Sequence, residues 1–178
     1  KIVKHLEISY GNVDDDWHLI GELNQLVSLS IKDSFIDFHS FYGALAKLKN
    51  LEQINYNYYC FFNKQKNDQL KNIIINIKTF QIDFPKDDEP DFDFNNYLKE
   101  TYKKKFHSIF EIKNCEKIFV NLEEVIFTNY QKFKTLAKEF DSTEEKLFEK
   151  ILYWGMEPSK LKKFKSLKNI KINEGKYL

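Results

Sequence analysis

The segment "DFDFNN", Asp91 to Asn96, is where the sequence comes nearest to a metal site. Asp91, Asp93 and Asn95 copy the first three ligand positions of an EF-hand loop, with oxygen donors at alternate residues. The loop then fails. Asn96 stands at the sixth position, where a glycine makes the sharp turn, and Tyr102 at the twelfth, where a bidentate glutamate closes the coordination sphere. No metal is therefore assigned. The surrounding stretch, Asp83 to Asn96, still holds the densest run of carboxylates, with Asp87, Asp88 and Glu89 lying between two prolines. Long excursions of this kind are often functional in compact proteins, so these acids and Asp91 and Asp93 stand as candidates for contact with a partner.

Catalytic chemistry finds less support. His5, His18, His39 and His107 are scattered, and none is spaced with a nucleophile and an acid. Neither HExxH nor GxxxxGK[ST] occurs, and the five glycines never form a GxGxxG cradle. No catalytic residue and no cofactor is assigned, and the chain is read as a non-enzyme. Cys60 and Cys115 lie far apart and match no metal spacing, which favours two free thiols.

All 28 basic side chains are Lys, so the bidentate fork that clamps phosphates and reads guanine edges is absent. The net charge is only +1. The runs "YKKKFH" and "KLKKFKSLKNIK" read as solvated faces, since the lysines of the second flank regularly spaced apolar residues. Nucleic acid is thus not expected as a partner. No apolar run approaches the ~18 residues needed to span a bilayer. The chain begins at Lys1 rather than Met, which leaves a removed signal peptide open; a cytoplasmic location is favoured.

With 178 residues and 42% hydrophobic content, the chain suffices for one sizeable core. The elements that build it repeat. "LNQLVSLSIKDSFID" and "LKNLEQINYNYYCFF" share apolar residues at five equal offsets, a mixed period that suits neither a plain helix nor a plain strand. A template with apolar residues at positions 1, 4, 6 and 11 captures it. Val3, Leu6, Ile8 and Val13 fit; so do Leu26, Leu29, Ile31 and Ile36, then Leu51, Ile54, Tyr56 and Phe61. Leu70, Ile73, Ile75 and Phe80 give a fourth unit. His107, Phe110 and Ile112 give a looser fifth, with Cys115 at position 9. Leu122, Val125 and Phe127 follow, and Leu167, Ile170, Ile172 and Tyr177 close the chain. Starts at 3, 26, 51, 70, 107, 122 and 167 give intervals of 23, 25, 19, 37, 15 and 45 residues.

This pattern is similar to that of the leucine-rich repeat family, whose signature runs L-x-x-L-x-L-x-x-N/C-x-L. The alternating centre is a strand with its apolar residues turned inward, and position 11 begins a return segment over the same core. One unit cannot bury its own apolar face, so units stack and their strands form a parallel sheet. The resemblance implies an α/β solenoid, a curved parallel sheet with helices on the convex side, irregular in its second half. Residues 1–178 form one such domain, with an acidic insertion at about 81–105 and a helical insertion at about 131–156. Helices are expected after Asp14 to Asp16, over Phe38 to Leu48, and over "STEEKLFEKILYWG", where Ser142 and Glu145 form a capping box.

The resemblance also implies a binding surface. In this family the x positions of the strands project from the concave side, where partners commonly dock. Carried over to this chain, they place Asn55, Asn57, Ile74, Asn76, Ile109, Glu111, Ile126, Thr128, Lys171 and Asn173 on that face. Ile74, Ile109 and Ile126 would form an apolar centre with a polar rim. The expected function is a non-catalytic scaffold binding a protein partner, its oligomeric state open. Two alternatives stand beside it: a toxin-neutralising protein using the acidic insertion, and an enzyme whose site has no sequence signature.

Overall fold

The computed structural model describes residues 2–9, 16–32, 34–57, 61–63, 73–83, 114–128 and 163–173. Six five-residue strands form an all-parallel sheet: β1 (His5–Ser9), β2 (Ser28–Lys32), β4 (Gln53–Asn57), β6 (Thr79–Asp83), β7 (Glu124–Thr128) and β8 (Asn169–Asn173), in that order across the sheet. Beside it, β3 (Phe35–Asp37) pairs in parallel with β5 (Phe61–Asn63). Three helices complete the described elements: α1 (Trp17–Ile20), α2 (Phe38–Lys47) and α3 (Cys115–Ile118). The chain is thus of the α/β class.

Register is constant across the sheet. Leu6 pairs with Leu29, Leu29 with Ile54, Ile54 with Phe80, Phe80 with Val125 and Val125 with Ile170. β2, β4, β6 and β7 place their second and fourth residues inward, with the same alternation of half-buried and buried positions, and the second and fourth residues of β1 are the more covered ones of that strand. A strand turns successive side chains to opposite faces, so a constant register gathers all inward residues into one core. Leu29, Ile54, Phe80 and Val125 are fully buried there. Burying one such side chain stabilises the fold by about 1.5–3 kcal/mol.

A backbone junction sets this register. The carbonyl of the residue before each strand accepts two N–H groups from the next strand's entry. Val27 and Ser28 donate to Lys4, Glu52 and Gln53 to Val27, Lys78 and Thr79 to Glu52, Glu123 and Glu124 to Lys78, and Lys168 and Asn169 to Glu123. Most strands are entered through a one-turn reversal, in which Leu26 donates to Leu23, Leu51 to Leu48, Leu122 to Phe119 and Leu167 to Phe164. Side chains stack from one reversal to the next: Asn50 donates to the Asn24 carbonyl at 2.6 Å, and Ser166 to the Val120 carbonyl at 2.9 Å.

Two sequence expectations are corrected here. The fourth unit starts at Ile77 rather than Leu70, so Phe80 and Ile82, not Ile73 and Ile75, are the inward strand residues. Ile73 to Lys78 lie outside the strand; this segment enters β6 in place of the usual reversal, held by the Ile75 N–H donating to the Ile118 carbonyl. In addition, β6 pairs directly with β7, so no strand from the Phe110 unit lies between them. Residues 107–113 themselves fall outside the described residues, and Cys115 opens α3 instead of ending a strand unit. Starts at 3, 26, 51, 77, 122 and 167 now give intervals of 23, 25, 26, 45 and 45 residues.

The helices pack on the inward side through aromatic rings. In α2, Phe41, Tyr42, Ala44 and Leu45 form the buried stripe, continued by the C-cap residue Leu48, and the Asp37 carboxylate caps the N-terminus by accepting from the Ser40 N–H at 2.8 Å. Helix α1 is shorter than the acidic approach suggested. Its cap, Asp16, uses its carbonyl rather than its side chain, accepting from Leu19 and Ile20. Ring contacts run from Trp17 to Phe41, Tyr42, Phe119, Phe80 and Tyr56, mostly edge to face with centroids 4.9–6.2 Å apart. Burial pushes the Tyr42 phenol well above its ordinary value of 10.0, with Cys115 and Tyr56 adding to the rise. The acidic insertion from residue 84 onward and the helical insertion lie outside the described residues.

Candidate functional site

The face of the sheet turned away from the core is built by the first, third and fifth residue of each strand. Its middle row reads Glu7, Ser30, Asn55, Gln81, Ile126 and Lys171. The row toward the strand starts reads His5, Ser28, Gln53, Thr79, Glu124 and Asn169. At the strand ends come Ser9, Lys32, Asn57, Asp83, Thr128 and Asn173. Hydroxyls and amides dominate.

Charges on this face are matched at its two sides. Lys32 meets Glu7 at 3.0 Å, and Lys171 meets Glu124 at 2.6 Å. Toward the middle, Asp83 accepts from the Gln81 amide at 2.8 Å and from the Thr128 hydroxyl. The Asn55 side-chain oxygen is cut off from solvent and has no hydrogen-bond donor. Ile126 is half-buried among these polar neighbours.

A second charged feature borders the face along the strand entries. Lys78 meets Glu52 at 2.7 Å and Lys168 meets Glu123 at 2.9 Å, so the residues preceding β4, β6, β7 and β8 alternate in sign. The hydrogen bond and charge of Glu52, with a smaller contribution from Glu123, raise the Lys78 ammonium above its ordinary 10.5. Lys168 first, then Lys78, hold the Glu123 carboxyl below its ordinary 4.5. All four side chains are exposed, so water and salt screen the ladder.

Of the residues expected on the binding face, Asn55, Asn57, Ile126, Thr128, Lys171 and Asn173 lie on it. Ile74 and Asn76 do not. Both precede β6; Ile74 is 61% exposed, and Asn76 accepts from the Asn121 amide at the sheet border. An apolar centre made by Ile74 with Ile126 is therefore replaced by Ile126 beside Gln81. Ile109 and Glu111 fall outside the described residues, as do Asp87, Asp88, Glu89, Asp91 and Asp93. Thr79, Gln81 and Asp83 were missed. The signal was present in "INIKTFQID", where Ile77, Phe80 and Ile82 fit the template with outward positions at 79, 81 and 83.

Among the described residues, no three His, Cys, Asp or Glu side chains gather into a group able to hold a metal ion. Cys115 is a buried free thiol, and Cys60 lies outside the described residues. No helix among the described residues is long and apolar enough to cross a membrane. Compared with protein-family models, curated proteins and solved structures, the chain matches none.

Proposed function

We propose that this chain is a leucine-rich-repeat-like solenoid acting as a non-catalytic scaffold, which binds a protein partner through the polar face of its sheet. The observation that supports this reading is the constant register of six parallel strands. It lays three continuous rows of outward side chains side by side, with paired charges at the sides and Ile126 among amides and hydroxyls. A small apolar group within a polar, hydrogen-bonding rim is the composition of a modest protein interface. Without Arg, and with both face lysines already facing carboxylates, the surface is poorly suited to a polyanion.

The test is affinity capture from the source organism's extract with the intact chain and with Ile126→Asp, followed by direct binding measurements on the captured partner. Loss of binding in Ile126→Asp, with none in a helix-side variant such as His39→Glu, supports the reading. Equal binding by both variants removes it.

A further inference from the structure

On the reading that the polar face is the binding surface, we infer that its ligand is an extended peptide segment held by its main chain, lying along β4. The three outward residues of β4 are all primary amides: Gln53, Asn55 and Asn57. A primary amide carries one acceptor and two donors, the complement of a peptide group's N–H and C=O, and Asn55 and Gln53 are the two on which the inference is tested. Along a strand, alternate side chains recur every ~6.6–6.8 Å, and an extended peptide repeats its outward N–H and C=O groups at that same interval. The two repeats coincide when the peptide runs along the strand. Across the sheet the rungs recur every ~4.8 Å, which matches neither one nor two residues of an extended chain. The commensurate direction is therefore that of β4.

Charge complementarity points to the same occupant. β4 carries no ionised group on this face; its neighbours offer Ser28 and Ser30 on β2 and Thr79 and Gln81 on β6, with Lys32 and Asp83 flanking only its Asn57 end. Lys32 is held by the Glu7 carboxylate and Asp83 accepts from Gln81 and Thr128, so the uncharged stripe runs along Gln53 and Asn55. A neutral, dipolar main chain suits such a stripe better than a charged side chain does. At its centre, the Asn55 oxygen is buried without a donor. Rotation about χ2, a soft torsion in Asn, turns that amide to meet a ligand N–H. Buried acceptors in folded proteins are almost always satisfied, so this oxygen marks where a donor is due. Recognition of this kind reads backbone rather than sequence, and it tolerates varied side chains on the ligand.

The experiment is a selection of random linear peptides displayed on phage against the full chain. Enriched peptides are then resynthesised with single N-methyl groups at successive residues, and binding is read by fluorescence anisotropy. N-methylation should weaken binding about five- to tenfold at alternate residues only, the cost of one hydrogen bond each. Asn55→Leu should weaken the parent peptide by a similar factor. It should add nothing further at the N-methylated position facing Asn55, a coupling that nearby structural damage would not produce. Gln53→Leu provides the same cycle should Asn55→Leu unfold. N-methyl effects without two-residue alternation, indifference to both substitutions, or no enriched peptide would each overturn the inference. The broader reading fails differently: the captured protein partner would then bind equally well to Ile126→Asp.

Discussion

The ring of Phe119 meets that of Phe80 edge to face, with centroids 5.4 Å apart, although 39 positions separate them in the chain. Phe119 closes the reversal before β7, and Phe80 is the inward residue at the centre of the sheet. Both are fully buried. Phe80→Ala should therefore cost about 3–5 kcal/mol, and Leu29→Ala and Ile54→Ala about 2–5 kcal/mol each. Ile73→Ala should cost less, because Ile73 is only partly buried and outside the strand. Ser30→Ala, on the polar face, should stay within about half a kcal/mol. Denaturant unfolding of this set checks the register; a larger loss at Ile73 than at Phe80 would restore the earlier placement of the fourth unit.

Two glycines should respond in opposite directions to Ala. A methyl group at Gly21 would come within 3.3 Å of the Ala44 Cα and 3.1 Å of the Lys47 Cδ, where α1 packs on α2. A backbone atom cannot move aside as a side-chain end can, so Gly21→Ala should destabilise by about 1–2 kcal/mol. At Gly43, inside α2, a methyl group meets nothing within 4 Å. Gly43→Ala should stabilise by about 0.5–1 kcal/mol, because Gly is the costlier residue in a helix interior. Paired thermal melts decide it, and a gain at Gly21 would mean the two helices are free to part.

The parallel sheet was legible in the sequence because strand alternation and apolar spacing agree at Leu29 and Ile31, at Ile54 and Tyr56, and at Val125 and Phe127. Helix α2 was legible through the stripe of Phe41, Leu45 and Leu48. The fourth unit was ambiguous for a physical reason. Ile73 and Ile75 alternate as well as Phe80 and Ile82 do, and a strand's period of two permits both placements. What separates them is the Glu52 carbonyl accepting from Lys78 and Thr79, a backbone bond with no side-chain signature. The candidate face inherited that slip, so Ile74 was placed on it and Gln81 was not. Asn50 and Ser166 show a similar limit: they stack before the strands, whereas the family signature directs attention to a polar residue after them.

The exposed ladder of Glu52, Lys78, Glu123 and Lys168 predicts a pH dependence at both extremes. Glu123 has a lowered carboxyl value in the fold, so its contribution is present above the unfolded value of 4.5 and is lost as pH falls through the folded one. Lys78 has a raised value, so its contribution is present below 10.5 and is lost as pH rises through the folded one. Stability should thus be flat near neutrality and decline on both sides. Glu123→Gln should flatten part of the acid limb, and Lys78→Met part of the alkaline limb. Both differences should shrink in molar salt, since the side chains are exposed. Melting temperatures across pH at low and high salt test this, and unchanged limbs in both variants would show that the ladder contributes nothing measurable.

Binding should depend on where a side chain sits relative to the sheet more than on its apolarity. Ile126 lies on the polar face between Gln81 and Lys171, half-buried before any partner arrives. Interface energy concentrates in a few central side chains that lose water, so Ile126→Asp should cost over about 2 kcal/mol in binding. Ile74 is more exposed but stands at the sheet border, outside the strand. Ile74→Asp should therefore leave affinity within about half a kcal/mol of the parent, as should Asn173→Ala at the rim. Salt should have a modest effect, because Lys32 and Lys171 face Glu7 and Glu124 already and little net charge is left to steer a partner. A partner that instead engages the acidic insertion would behave otherwise. Neutralising Asp87, Asp88 and Glu89 together would then slow association steeply at low salt, with Ile126→Asp binding normally. Kinetics on the captured partner with these four variants distinguish the two, and the second pattern would move the binding site from the sheet to the insertion.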